Sequence, residues 1–204
     1  LGQNGAGKST LMQVIAGNVK PDAGSLWIDG ERIEPGSPAE AAAHGVGLVH
    51  QETSLIPPLS VAENVMLGRW PMRRGQVEWA LLRERARKSV QRVGLGADLD
   101  AEVRDLGMAE RQLVELAKAL SQDVRVLLLD EPTSALSARE TKRLFEICRN
   151  LRDQGVAIVY VSHRLSEILE ICDRVTVLRD GQLVDTVGLE GVSEQELARM
   201  MVGA

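Results

Sequence analysis

The chain has 204 residues, 44% of them hydrophobic and 26% charged, with a net charge of −5, which fits a globular protein with a sizeable core and excludes a small disulfide-stapled scaffold or a disordered polyelectrolyte. Aromatic residues make up only 2%, so the core must be mostly aliphatic. The longest apolar run, residues 156 to 161, falls far short of the roughly 20 residues that cross a bilayer, and no signal-peptide pattern is present.

In chain order, the first ten residues, LGQNGAGKST, contain a glycine-rich loop, and a helix is expected from Ser9 to Ala16. Residues 25 to 33 read as a hairpin about Asp29-Gly30, because Asp-Gly supplies the positive φ angles of a tight turn. A short helix over 37 to 45 ends at Gly45, and residues 46 to 50 form a short strand running into Gln51. From 52 to 123 the strand signal vanishes, and helices are expected at 60 to 67, 79 to 93 and 110 to 121. Alternation then resumes: strand 125 to 130, helix 138 to 153, strand 156 to 161, helix 164 to 171, a hairpin over 174 to 187 turning on Asp180-Gly181, and a last helix near 193 to 201. Short apolar strands separated by amphipathic helices indicate a parallel sheet covered on both faces. The fold class is therefore α/β: a core formed by residues 1–51 and 122–204, peripheral antiparallel hairpins, and an all-helical insert over 52–121. Cys148 and Cys172 sit on apolar stripes and read as buried thiols with no disulfide or metal role. Residues 69 to 92 carry eight Lys or Arg against two Glu. Charged helix surfaces of this kind are common, so they read as a solvated helix face, and no nucleic-acid partner is expected.

Three segments carry chemistry. Gly2, Asn4, Gly5, Ala6, Gly7, Lys8, Ser9 and Thr10 lie in or at the end of a complete phosphate-binding pattern, G-x-x-x-x-G-K-S. The glycines let backbone N–H groups turn inward, Lys8 neutralises β- and γ-phosphate oxygens, and Ser9 offers a hydroxyl to Mg²⁺. A dinucleotide site is excluded because its third glycine would fall where Lys8, Ser9 and Thr10 stand. The second segment, VRVLLLDEP (124 to 132), is a buried strand ending in two carboxylates: Asp130 is the candidate Mg²⁺ ligand and Glu131 the candidate base that polarises water. The third, VAIVYVSHR (156 to 164), puts His163 directly after another buried strand. Parallel strands present ligands at their carboxyl ends, so Lys8, Glu131 and His163 are expected to converge, which makes His163 a candidate γ-phosphate contact. His44 and His50 give no zinc spacing with it.

The phosphate loop, Gln51 after a strand, the helical insert, DLGMAERQLVELAKALS (105 to 121), LLLDEPTSALS (127 to 137) and SHR (162 to 164), in this order, resemble an ABC-type ATPase with a P-loop NTPase fold over essentially the whole chain. QETSLIPPLSVAENVMLGR (51 to 69), QLVELAKAL (112 to 120) and IVYVSHRLSEILEICDRVTVLRDGQ (158 to 182) look more narrowly like the first nucleotide-binding half of the double-length ATPases that energise bacterial monosaccharide importers of the ribose, galactose and xylose type. The resemblance implies ATP and Mg²⁺ as cofactors, with Gln51 serving at the metal and the catalytic site and coupling nucleotide to the membrane subunit. It further implies a second ATP-binding half facing residues 134 to 137, permease subunits docked on the insert, a periplasmic sugar-binding protein as indirect partner, and a peripheral place on the cytoplasmic face of the bacterial inner membrane. A soluble ABC-type regulator of ribosomes or nucleic acid is the alternative. That reading requires a charged linker, a coiled coil or a nucleic-acid patch.

One departure stands out. Where the family signature reads Leu-Ser-Gly-Gly-Gln, this chain has Leu106, Gly107, Met108, Ala109 and Glu110, so the serine hydroxyl is absent and a methyl occupies a glycine position. A weakened signature is expected. Leu1 alone precedes the phosphate loop. The leading strands are therefore expected to lie before Leu1, and the sequence to be a fragment of a longer chain.

Overall fold

The computed structural model describes residues 1–50 and 54–202. Helix α1 (Lys8–Ile15) leaves the glycine-rich loop, β1 (Leu26–Ile28) and β2 (Glu31–Ile33) form a hairpin, and α2 (Pro38–Ala43) leads into β3 (Val46–Val49). Next come α3 (Val61–Val65), a hairpin of β4 (Met72–Arg73) and β5 (Gln76–Val77), α4 (Trp79–Arg92) and α5 (Met108–Ala119). The chain then alternates through β6 (Val126–Asp130), α6 (Ala138–Asp153), β7 (Ala157–Val161) and α7 (Leu165–Ile171). A hairpin of β8 (Arg174–Arg179) and β9 (Gln182–Gly188) precedes α8 (Glu194–Val202).

Strands β3, β6 and β7 make a parallel sheet with β6 in the middle, Leu128 standing opposite Leu48 on one side and Val159 on the other. Alternation along β6 assigns its leucines to two cores. Leu127 and Leu129 face a large cluster with Phe145 of α6 and Leu116 of α5, while Leu128 faces a smaller one with Met12 of α1, Ala41 of α2 and Ile28 and Ile33 of the first hairpin. All three leucines are fully buried. Each such burial is worth about 1.5–3 kcal/mol, so the register of β6 is strongly specified. Cover on both faces holds for β3 and β6 and fails along β7, whose Ala157 and Val159 are exposed because the smaller cluster reaches only Val161 at its end. A cleft of about 460 Å³ separates this open stretch from β8.

The expected hairpins form. Asp29 and Gly30 take φ of 51° and 78°, and Asp180 and Gly181 take 50° and 76°, the positive pair of a tight hairpin turn. The insert, however, is not all helical: β4 and β5 pair Met72 with Val77 and Arg73 with Gln76 around Arg74 and Gly75, at φ 51° and 81°. Two-residue strands are too short for alternation to show, and Arg in place of Asp hides the turn. A 3₁₀ turn at Val103–Asp105 was equally silent in the sequence. Helix α5 also starts two residues earlier than its apolar stripe, since Gly107 is its N-cap and the Glu110 carboxylate accepts from the Gly107 N–H at 3.0 Å. Cys148 is buried and its thiol is pushed up to about 12 by burial, whereas Cys172, at the end of α7, is only half-buried. On α4, Arg83 pairs with Asp100 and Lys88 with Glu84, both at 2.9 Å, in keeping with a solvated face. No helix among the described residues is long and apolar enough to cross a membrane.

Segment 54–60, which leads into α3, is tied down by polar groups. Fully buried Asn64 accepts from the Ile56 N–H at 2.7 Å and donates to the carbonyls of Ile56, Leu59 and Ser60 at 3.0, 3.1 and 3.0 Å. Buried Glu115 of α5 accepts from the Ser54 N–H, and Lys118 reaches the Ser54 hydroxyl at 2.7 Å. Asn64→Asp keeps the shape but turns an oxygen toward three carbonyls. It should lower the stability of the full-length protein by about 1–3 kcal/mol with an unchanged urea m-value, as read from denaturation midpoints.

Candidate functional site

The phosphate loop is held from both ends. Leu1 bonds to β8 in a parallel-ladder pattern, its nitrogen donating to the Thr176 carbonyl and its carbonyl accepting from Leu178, both at 2.8 Å. Gly2 then passes so close to the Leu178 carbonyl that a Cβ there would collide with it and lie 2.9 Å from the Ala6 methyl. At the far end, Gly7 takes φ 95° as the N-cap of α1, which makes no side-chain capping bond, so the first-turn N–H groups remain available to an anion. Asn4 and Gly5 are exposed at the tip, Ala6 is buried beneath it, and Ser9 and Thr10 are exposed in the first turn of α1. Lys8 folds over the loop, donating to the Gly2 and Gln3 carbonyls at 2.8 and 2.9 Å.

Asp130 ends β6 and Glu131 follows at φ 48°, a left-handed conformation uncommon outside glycine. That turn is fixed by the Glu131 N–H donating to the Val161 carbonyl at 2.9 Å, the point where β7 ends. His163, two residues beyond, brings its Nδ1 to 3.3 Å from the Glu131 carboxylate. Burial pushes the Asp130 carboxyl above the usual carboxylate range, with the Ser9 hydroxyl opposing the shift, Glu131 reinforcing it, and His50 and Lys8 opposing it more weakly. The same contacts place Ser9 and Lys8 of the loop beside the strand-end carboxylates. Convergence of Lys8, Ser9, Asp130, Glu131 and His163 is thus present. Gln51 lies outside the described residues.

A hydroxyl and a carboxylate at one point suit a hard cation that takes its remaining ligands from water and phosphate, which is how Mg²⁺ is usually held. Among the described residues no cluster of three or more His, Cys, Asp or Glu offers a self-sufficient metal cage. The residues therefore fit Mg²⁺ arriving with a phosphate ligand.

Leu106, Gly107, Met108, Ala109 and Glu110 stand apart from this centre, at the start of α5, with Gly107, Met108 and Glu110 exposed. Ala109 and Glu110 share a groove of about 690 Å³ with Leu136 and Ser137, so the signature stretch and the loop over 134 to 137 open onto one surface. One residue of the centre escaped sequence reasoning: Glu167 of α7 is buried and accepts side-chain bonds from Thr133, Tyr160, Ser162 and Arg164. Its only sequence signal is a position between Leu165 and Ile168 on an otherwise apolar helix face. Burial raises the Glu167 carboxyl, but hydrogen bonds from Thr133, Ser162, Tyr160 and Arg164 outweigh it and hold the group below the usual range.

A family model for the ABC transporter domain matches residues 1–134. The chain belongs to the ABC transporter family. It is 50% identical over 203 residues, all of its own length, to the ribose import ATP-binding protein RbsA 1 of Rubrobacter xylanophilus. It is 45% identical, again over its whole length, to a putative ribose/galactose/methyl galactoside import ATP-binding protein of Agrobacterium fabrum. The chain spans 40% and 41% of the lengths of these two relatives. Among solved structures it resembles an ATP-binding cassette in a dimeric post-hydrolysis state with ADP and Pi, at 27% identity and a TM-score of 0.77, covering 94% of this chain and 84% of that one. The P-loop NTPase fold of an ABC ATPase is therefore the fold of this family member.

Two outcomes follow from this geometry. Gly2→Ala should destabilise the full-length protein by more than Gly5→Ala, whose Cβ meets nothing and whose cost is the ~1–2 kcal/mol of a left-handed residue; thermal denaturation of both variants ranks them. Because Glu167 is held below its unfolded value, its stabilisation is complete above about pH 4.3 and is lost as acid carries the pH down through the depressed folded value. Glu167→Gln should flatten that acid limb when urea stability is measured between about pH 3 and pH 6.

Proposed function

We propose that this chain is an ATP-binding half of an importer ATPase, which hydrolyses ATP to drive a monosaccharide across the bacterial cytoplasmic membrane. The observation that carries the reading is the convergence of loop and strand ends, with Lys8 and Ser9 beside Asp130, and Glu131 3.3 Å from His163. Similarity to import proteins named for ribose and galactose supplies the substrate class.

In this reading the first-turn N–H groups of α1 and the Lys8 ammonium hold the β- and γ-phosphates, and Ser9 and Asp130 hold Mg²⁺. The bound cation supplies neutralisation of charge on the phosphate oxygens. Glu131 accepts the proton of a water whose oxygen attacks the γ-phosphorus in line, while the bond to the bridging oxygen of the β-phosphate breaks and ADP leaves. His163, steadied by Glu131, faces the γ-phosphate. Gln51 links this centre to the permease, which docks on the insert, and a periplasmic sugar-binding protein delivers the substrate. The ATPase lies peripherally on the cytoplasmic face.

A second ATP-binding half completes the assembly, and the degenerate stretch Leu106–Glu110 makes the pair asymmetric. This chain has intact residues for its own phosphate, while Gly107 has no hydroxyl to offer the opposite site. Hydrolysis then belongs chiefly to the site holding Lys8, Asp130 and Glu131, completed by the other half's signature.

Glu131→Gln in the full-length protein, reconstituted with its permease, should retain ATP binding and lose about 10²- to 10⁴-fold in turnover. ATPase assays and vesicle uptake of ribose and galactose measure both halves of the reading. Undiminished turnover would remove Glu131 from its role and the asymmetry with it, and turnover indifferent to the permease would remove the importer assignment.

A further inference from the structure

The Glu131–His163 pair has few direct constraints. His163 is more than half exposed, and among the described residues its only side-chain partner is Glu131 at 3.3 Å. Glu131 sits in a left-handed turn on one loop and His163 in a turn on another. Beyond the last rung of the β6–β7 ladder, something must set the two turns against each other to within a fraction of an ångström.

Glu167 spans both turns. Thr133, two residues after Glu131, donates its hydroxyl to both carboxylate oxygens of Glu167, at 2.9 and 2.8 Å. Ser162, immediately before His163, donates at 2.8 Å, and Arg164, immediately after it, donates from Nη1 at 3.2 Å. Arg164 is fixed a second time, its backbone N–H donating to the Ser162 hydroxyl at 3.0 Å. Tyr160 completes the set at 2.9 Å, its ring held edge-on by Phe145. One carboxylate therefore grips the residue two past Glu131 and both neighbours of His163. With a side-chain exposure of 7%, it is shielded from competing water.

We propose that Glu167 is a positioning residue for hydrolysis, setting Glu131 and His163 in register by clamping the Thr133 loop to the Ser162–Arg164 turn. Only an ionised carboxylate fits the role. Its two oxygens receive donors on every side, whereas an amide offers one acceptor and points an NH₂ group at hydroxyls and a guanidinium. Aspartate is one methylene short of reaching both turns. Among the described residues no hydrogen bond joins the phosphate loop to the clamp, so the clamp acts on the chemical step rather than on nucleotide capture.

The inference rests on the ATPase reading above, and the test separates the two. In full-length protein that hydrolyses ATP, Glu167→Gln should lower kcat roughly 10- to 100-fold, as expected of a misplacement near 1 Å, while KM for ATP stays within about twofold. Thr133→Val, which deletes one arm of the clamp, should lower kcat in the same direction by less. Adding Glu167→Gln to Glu131→Gln should cost less than it does in the wild-type protein, because part of the clamp's action runs through Glu131. Unchanged kcat in a folded Glu167→Gln variant, KM rising as kcat falls, or full additivity with Glu131→Gln would each overturn the proposal. If Glu167→Gln does not fold, Thr133→Val decides on the same criteria. Should the wild-type protein lack ATPase activity, the functional reading fails by itself, and crystal structures of the two variants still judge the clamp: the His163 to Glu131 separation should widen from 3.3 Å, and an unchanged separation would refute it.

Discussion

Asp130 pairs with Val161 in the last rung of the parallel ladder between β6 and β7, and from that rung the two chemical turns diverge. The Glu131 N–H continues the ladder by one more bond to the Val161 carbonyl before the chain bends into its left-handed turn. A slip of one residue in this pairing would reverse every side chain of β6 and carry Asp130 and Glu131 away from Lys8. The ladder holds because Leu127 and Leu129 are buried in one cluster and Leu128 in another on the opposite face.

An aliphatic core of this kind is strong but non-directional, and it cannot by itself aim a loop. Directional control comes from a few buried polar side chains, each with several partners. Asn64 ties the segment leading into α3, Glu115 ties Ser54 to α5, and Glu167 ties the turns on either side of the strand ends. Each exploits the cost of leaving a buried polar group unpaired, which makes the loop geometry all-or-none. With only five aromatic residues in the chain, there is little stacking to share the task.

The residues proposed to touch phosphate or water were legible in the sequence because that chemistry dictates both type and spacing: Gly2, Gly7, Lys8, Ser9, Asp130 and Glu131 admit few substitutes. Strands and helices were legible where apolar period and length were sufficient, as in β6 and α6. Glu167 was hidden because the meaning of a carboxylate depends on burial, and burial at that position is set by neighbours from Thr133 to Arg164 that only the fold assembles. The β4–β5 hairpin was hidden for a local reason, since two residues per strand carry no periodicity. The open flank of β7 escaped because hydrophobic runs report that a strand is apolar on both sides, not which sides are covered.

The bonds joining Leu1 to Thr176 and Leu178 close the phosphate loop across 175 residues of chain. Contacts of such separation form late, because the entropy of closing the intervening chain is lost before they return anything. At synthesis rates of about 5–20 residues per second, the loop waits on the order of ten seconds or more for its partner strand to leave the ribosome. The loop, made well before its partner strand, is thus among the last segments to reach its final shape, and a nucleotide held there as proposed would be captured only once β8 is in place.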